Sequence, residues 1–78
     1  MSYEKYDIDD TDYNGLKIAE IFALAFELGM IFTCINFKLR DEIIFSSTNK
    51  RNIIGYCNFK KIQYEIRDHD DFPTLVLK

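Results

Sequence analysis

The residues of this 78-residue chain whose types and spacing could do chemistry fall into a few groups. Asp10-Thr11-Asp12-Tyr13-Asn14-Gly15 matches the first half of a calcium-loop pattern, D-x-[DN]-x-[DN]-G. Calcium in such a loop takes oxygen ligands at positions 1, 3 and 5, a turn glycine at 6 and a bidentate acid at 12. Position 12 falls on Ile21 and Glu20 lies one residue short, so the segment reads as a polar helix-start loop and no metal is expected. His69 stands among Asp68, Asp70 and Asp71. A carboxylate beside an imidazole raises its basicity and can form an acid–base pair. This is the single histidine of the chain, in an acidic stretch before Pro73, and it reads as a surface turn. Cys34 and Cys57 form no C-x-x-C pair and read as free thiols that pack as small hydrophobes. Lys50-Arg51 and Lys60-Lys61 are interleaved with Phe45, Tyr56, Phe59 and Tyr64, and basic grooves with stacking aromatics bind single-stranded nucleic acid. No catalytic constellation, phosphate loop or cofactor motif is present, so no enzyme and no cofactor are expected.

Charge is segregated. The net charge is −3, from 13 acidic and 10 basic residues. Residues 1–12 are strongly acidic, residues 38–67 carry a basic excess, and residues 68–78 are acidic again. Nucleic-acid domains usually carry an overall basic excess, so nucleic-acid recognition through Lys50, Arg51, Lys60 and Lys61 is the alternative reading. The principal one is a partner protein with a basic surface, met by Asp7, Asp9, Asp10, Asp12, Asp68, Asp70 and Asp71.

The elements that must position these groups follow from hydropathy. One domain is expected over residues 1–78: an acidic arm over 1–11, a helix over 12–28, and mainly β structure over 30–78. Thr11 or Asp12 can cap the helix, which runs through Leu16-Lys17-Ile18-Ala19-Glu20-Ile21-Phe22-Ala23-Leu24-Ala25-Phe26-Glu27-Leu28, and Gly29 suits a left-handed stop. From Met30 to Leu39 the period reads as two, a strand; a further strand follows from Glu42, and residues 61–67 alternate Ile62, Tyr64, Ile66 against Lys61, Gln63, Glu65, Arg67. Asp68 to Pro73 is a loop and Thr74 to Leu77 a last strand. Residues 49–58 are open between a strand and a short helix capped by Thr48. The expected fold class is α+β, one N-terminal helix on an antiparallel sheet of four to five strands.

Residues 16–35 are long and apolar enough to raise a membrane span, but they contain Lys17, Glu20 and Glu27 with the Gly29 break near the middle, so no membrane is expected. A helix apolar almost all round needs cover on more than one side. The common remedy is a two-fold dimer, and a homodimer is expected through Phe22, Leu24, Phe26, Met30 and Phe32, with Leu24 or Phe26 near its centre. The start of the chain is not a basic-then-apolar leader, and a cytoplasmic location is expected. Phe, Tyr, Met, Ile, Asn and Lys far outnumber Gly, Ala, Arg and Pro, the skew of AT-rich coding. Together these features lead to a non-enzymatic protein-binding module, a phage or mobile-element inhibitor of a host protein of the anti-defence or immunity type.

Overall fold

The run Ile18–Phe37 is one α-helix, α1, in the computed structural model that describes residues 6–78 of the chain. It starts later than expected and runs through Gly29. Residues Thr11–Tyr13 form a separate 3-10 turn instead of a cap on α1, and the Asp9 carboxylate accepts the Thr11 N–H at 2.9 Å and its hydroxyl at 2.6 Å. The strand expected from Met30 to Leu39 is the second half of α1. The physical reason is that almost every residue there is apolar, so periods of two and of 3.6 both fit. The core selects the helical one: Leu28, Ile31 and Ile35, at i, i+3 and i+7, are buried on one side. The left-handed stop is Lys38, with φ 53°, whose N–H bonds the Cys34 carbonyl. Gly29 stays right-handed within the helix, where glycine costs about 1 kcal/mol relative to alanine. A β-carbon built there meets none of the described residues within 4 Å.

Beyond α1 come strand β1 (Glu42–Ile44), a 3-10 turn (Ser47–Asn49) running into helix α2 (Lys50–Phe59), and strands β2 (Tyr64–Arg67) and β3 (Thr74–Leu77). The open question over residues 49–58 resolves to a helix, with Asn49 rather than Thr48 at its cap position. With residues 30–37 and 53–58 helical, the antiparallel sheet has three strands, not four to five, in the order β1-β3-β2. The α+β class stands, with two helices instead of one.

Registers place Ile43, Leu75 and Ile66 in one row across the sheet. Leu75 in the central strand is fully buried and its two neighbours are half-buried. The outer face carries Glu42, Val76 and Glu65 in the next row, and Arg67 bridges Glu42 at 3.4 Å and Glu65 at 3.2 Å. Of the strand read over residues 61–67, Tyr64–Arg67 forms, with one wet face, while Lys61 takes a left-handed turn conformation at φ 57°. Under the inner face lie Leu28, Ile31 and Ile35 of α1, Phe45, and Ile53, Tyr56 and Cys57 of α2. Each fully buried aliphatic or aromatic side chain contributes about 1.5–3 kcal/mol.

Tyr6 adds an aromatic cap to this core. Its ring stands edge-on to Phe32, Tyr56 and Phe59, while Phe32 stacks on Tyr56 with centroids 3.9 Å apart. Gly55 makes room for it: a β-carbon there would overlap the Tyr6 hydroxyl and come within 3.0 Å of its ring.

Candidate interaction surface

At 100° per residue, α1 has two apolar sides. The core side holds Leu28, Ile31 and Ile35. The opposite side holds Ile18, Ala19, Phe22, Phe26, Gly29, Met30, Thr33 and Phe37. Its large members are well exposed: Ile18, Phe22 and Phe26 at 71 %, Phe37 at 72 % and Met30 at 54 %. None of these residues is charged, and the helix is about 30 Å long at 1.5 Å per residue. The acids of α1, Glu20 and Glu27, fall toward the core side. Leu39 and Ile44, also exposed, extend the apolar surface, and a groove between α1 and β1 is lined by Phe26, Met30, Cys34, Arg40 and Ile44.

Of the residues expected in a dimer seam, Phe22, Phe26 and Met30 lie on this outer side. Leu24 and Phe32 do not. Leu24 is half-buried on the core side, its carbonyl accepting the Asn49 amide at 3.0 Å, and Phe32 belongs to the aromatic cap. The helix is long and apolar enough to cross a membrane, with mean hydropathy 2.0 over an 18-residue window of which 17 % is buried. The Gly29 break that counted against a span is not there.

Glu27 explains one of the two acids. Its carboxylate accepts the Ser46 N–H at 3.0 Å, the Ser46 hydroxyl at 3.1 Å and the Asn49 amide at 2.8 Å, just ahead of α2. A negative charge is favoured at a helix N-terminus. From there a chain of bonds runs outward. Tyr13 donates its hydroxyl to Asn49 Oδ1, and Asn52 donates to the Tyr13 oxygen at 2.9 Å. Asn52 also accepts the Asp9 N–H and donates to the Asp9 carbonyl, each at 2.8 Å. Asn49 and Asn52 are fully buried, and among the described residues no buried side-chain polar atom lacks a partner. Burial raises the Tyr13 phenol above its ordinary pKa. Sequence reasoning missed this network. Its signals were an acid in mid-run of an apolar helix and two asparagines at i, i+3 on the face of α2 that also holds Ile53 and Tyr56.

The charged candidates divide. Arg51 lies between Asp9 and Asp12, at 3.3 Å from each, and Lys50 pairs with Asp68 at 2.8 Å. The acidic ends therefore fold back on the start of α2. The Thr11 hydroxyl, then its N–H, and then Arg51 hold the Asp9 carboxyl below the usual range. Asp7, Asp10, Asp70 and Asp71 are exposed, as are Lys60 and Lys61 at the far end of α2. His69 sits in the exposed turn where its carbonyl accepts the Phe72 N–H at 2.8 Å. Among the described residues no group of three or more His, Cys, Asp or Glu is arranged to hold a metal ion. Both cysteines are free thiols; Cys57 is fully buried, which pushes its pKa up to about 11.

Compared with protein-family models, with curated proteins and with solved structures, the chain matches none of them.

Proposed function

We propose that this chain is a non-enzymatic protein-binding module that works as a dimer, α1 forming the seam and the exposed carboxylates Asp7, Asp10, Asp70 and Asp71 engaging a basic surface on a host protein. The observation that carries the reading is the outer side of α1, charge-free along its length and left uncovered by the described residues. Monomers rarely expose a continuous apolar patch of that size. Glu27 supports an aqueous setting over a membrane span, since its hydrogen bonds tie mid-helix to Ser46 and Asn49, and a three-stranded sheet with open edges is not viable in hydrocarbon. The pairing of Lys50 and Arg51 with acids of the same chain favours a protein partner over nucleic acid. AT-rich coding suits a phage or mobile-element product, an inhibitor of a host defence or regulatory protein acting in the host cytoplasm.

The test is capture of host proteins by the wild type and by a charge-reversed variant carrying Asp7→Lys, Asp10→Lys, Asp70→Lys and Asp71→Lys. A target held by the wild type, whose association slows with added salt and slows further in the variant, supports the reading. A single-stranded oligonucleotide bound with a steep salt dependence and lost on Lys60→Glu, Lys61→Glu would replace it by the nucleic-acid reading.

A further inference from the structure

We infer that the occupant of the outer side of α1 is the α1 of a second copy, packed antiparallel at a shallow angle with the two-fold axis passing between Glu27 and Leu28. The inference rests on the dimeric reading above and adds its geometry. Ala19, Phe22, Phe26, Gly29 and Thr33 recur at alternating spacings of three and four, the pattern that packs helices at about 20°. Antiparallel pairing in this register sets Phe22 against the partner's Thr33 and Phe26 against the partner's Gly29, with Phe37 at the end of the seam beside the partner's Ile18. The two central rings, Phe22 and Phe26, thus each meet a small residue. A parallel pairing would set ring on ring at Phe22 and Phe26 and leave a void between the glycines.

Gly29 is the independent observation. Among the described residues nothing calls for it: its conformation is ordinary helix, and none of them lies within 4 Å of the space a side chain would fill. A partner's phenylalanine in that space accounts for it. The area also suffices. At about 150–250 Å² for a whole aromatic side chain, the three phenylalanines with Ile18 and Met30 expose on the order of 600 Å². Ala19, Ala23, Thr33 and Leu39 bring the face to the roughly 800 Å² that a stable interface takes from each partner.

Two variants carry the test, both in a Cys34→Ala background because Cys57 is shielded. Phe22→Cys and Thr33→Cys chains are mixed reduced and then oxidised. The expected product is the mixed disulfide between one chain of each kind. In this register the two Phe22 positions of a dimer stand roughly 16 Å apart along the axis, beyond the about 7 Å that a disulfide spans. Disulfides joining two Phe22→Cys chains would overturn the antiparallel register while leaving the dimer intact, and a dimeric mass without cross-linking at either position would place the seam elsewhere. A monomeric mass, or a monomer that binds lipid vesicles through α1, would overturn the dimeric reading itself. Gly29→Leu, which has room in the single chain, should keep its helical circular dichroism and weaken dimerisation at least tenfold; unchanged dimerisation would contradict the close approach.

Discussion

The amide of Asn49 donates to the carboxylate of Glu27 at 2.8 Å from a position fully shielded from water. The acid on the apolar helix therefore anchors the start of α2 against α1, and the bonds of Tyr13 and Asn52 tie the N-terminal segment to the same point. Hydrogen bonds to a charged group contribute about 1.5–3 kcal/mol, and a buried group left unpaired costs a comparable amount. Asn49→Ala should lower stability by about 3 kcal/mol in urea unfolding, and Glu27→Ala by a similar amount. The double variant should cost clearly less than the sum, because both changes remove one interaction. Full additivity would show that the two groups do not act together.

Gly55 and Tyr6 are a second dependent pair. Gly55→Ala should destabilise the fold by about 1–3 kcal/mol, the usual cost of forcing extra volume into packed side chains. In a Tyr6→Ala background the same change should become neutral or stabilising, since alanine is the better helix former once the ring has gone. An equal cost in both backgrounds would mean that the 6–55 contact is not what excludes a side chain.

The two thiols should differ sharply. Cys34, half-buried in the groove beside β1, should react with a thiol reagent in the native protein, and Cys57 only on unfolding. Because the folded-state pKa of Cys57 is raised, from 9.0 to about 11, its neutral form favours the fold. Its stabilisation is complete below about pH 9 and is lost as pH rises toward about 11. Unfolding free energies measured across that window should fall in the wild type and fall less in Cys57→Ala.

The outer sheet face predicts the opposite trend in acid. Lys78, at 3.0 Å, and then Arg67 hold the Glu65 carboxyl below its ordinary range. A lowered pKa gives stability that is present above the ordinary value of 4.5 and lost as pH falls below it. Lys78→Ala should flatten that acid limb slightly, the pair being exposed and screened. A limb identical to the wild type's would show that the pair has no part in it.

How much of this was legible in the sequence depends on contrast between neighbours. Over residues 61–67 apolar and charged residues alternate, so the strand Tyr64–Arg67, its wet face and the loop before Thr74 could be read directly, though not the turn at Lys61 that delays its start. In α1 the contrast vanishes. With Met30, Phe32 and Cys34 as apolar as Ile31 and Ile35, a period of two and one of 3.6 describe the same letters, and Gly29 supplied a stop that the core overrode. The true stop, Lys38, carries no mark of a left-handed conformation. That the helix is apolar on more than one side was legible, because only Glu20 and Glu27 interrupt it. Which residues faced outward was not: Leu24 and Phe32 are taken by contacts with Asn49 and Tyr56 that lie far along the chain.

The central claim is that a second copy covers the outer side of α1, and the mass in solution tests it most directly. Sedimentation equilibrium at micromolar concentration should give twice the 9.3 kDa of one chain for the wild type. Phe26→Glu, which puts a charge at the centre of the seam on a side chain that is mostly exposed in the single chain, should give one chain mass with unchanged helical content. A wild type that sediments as a single chain over the same range, with α1 exposed to solvent, would contradict the account.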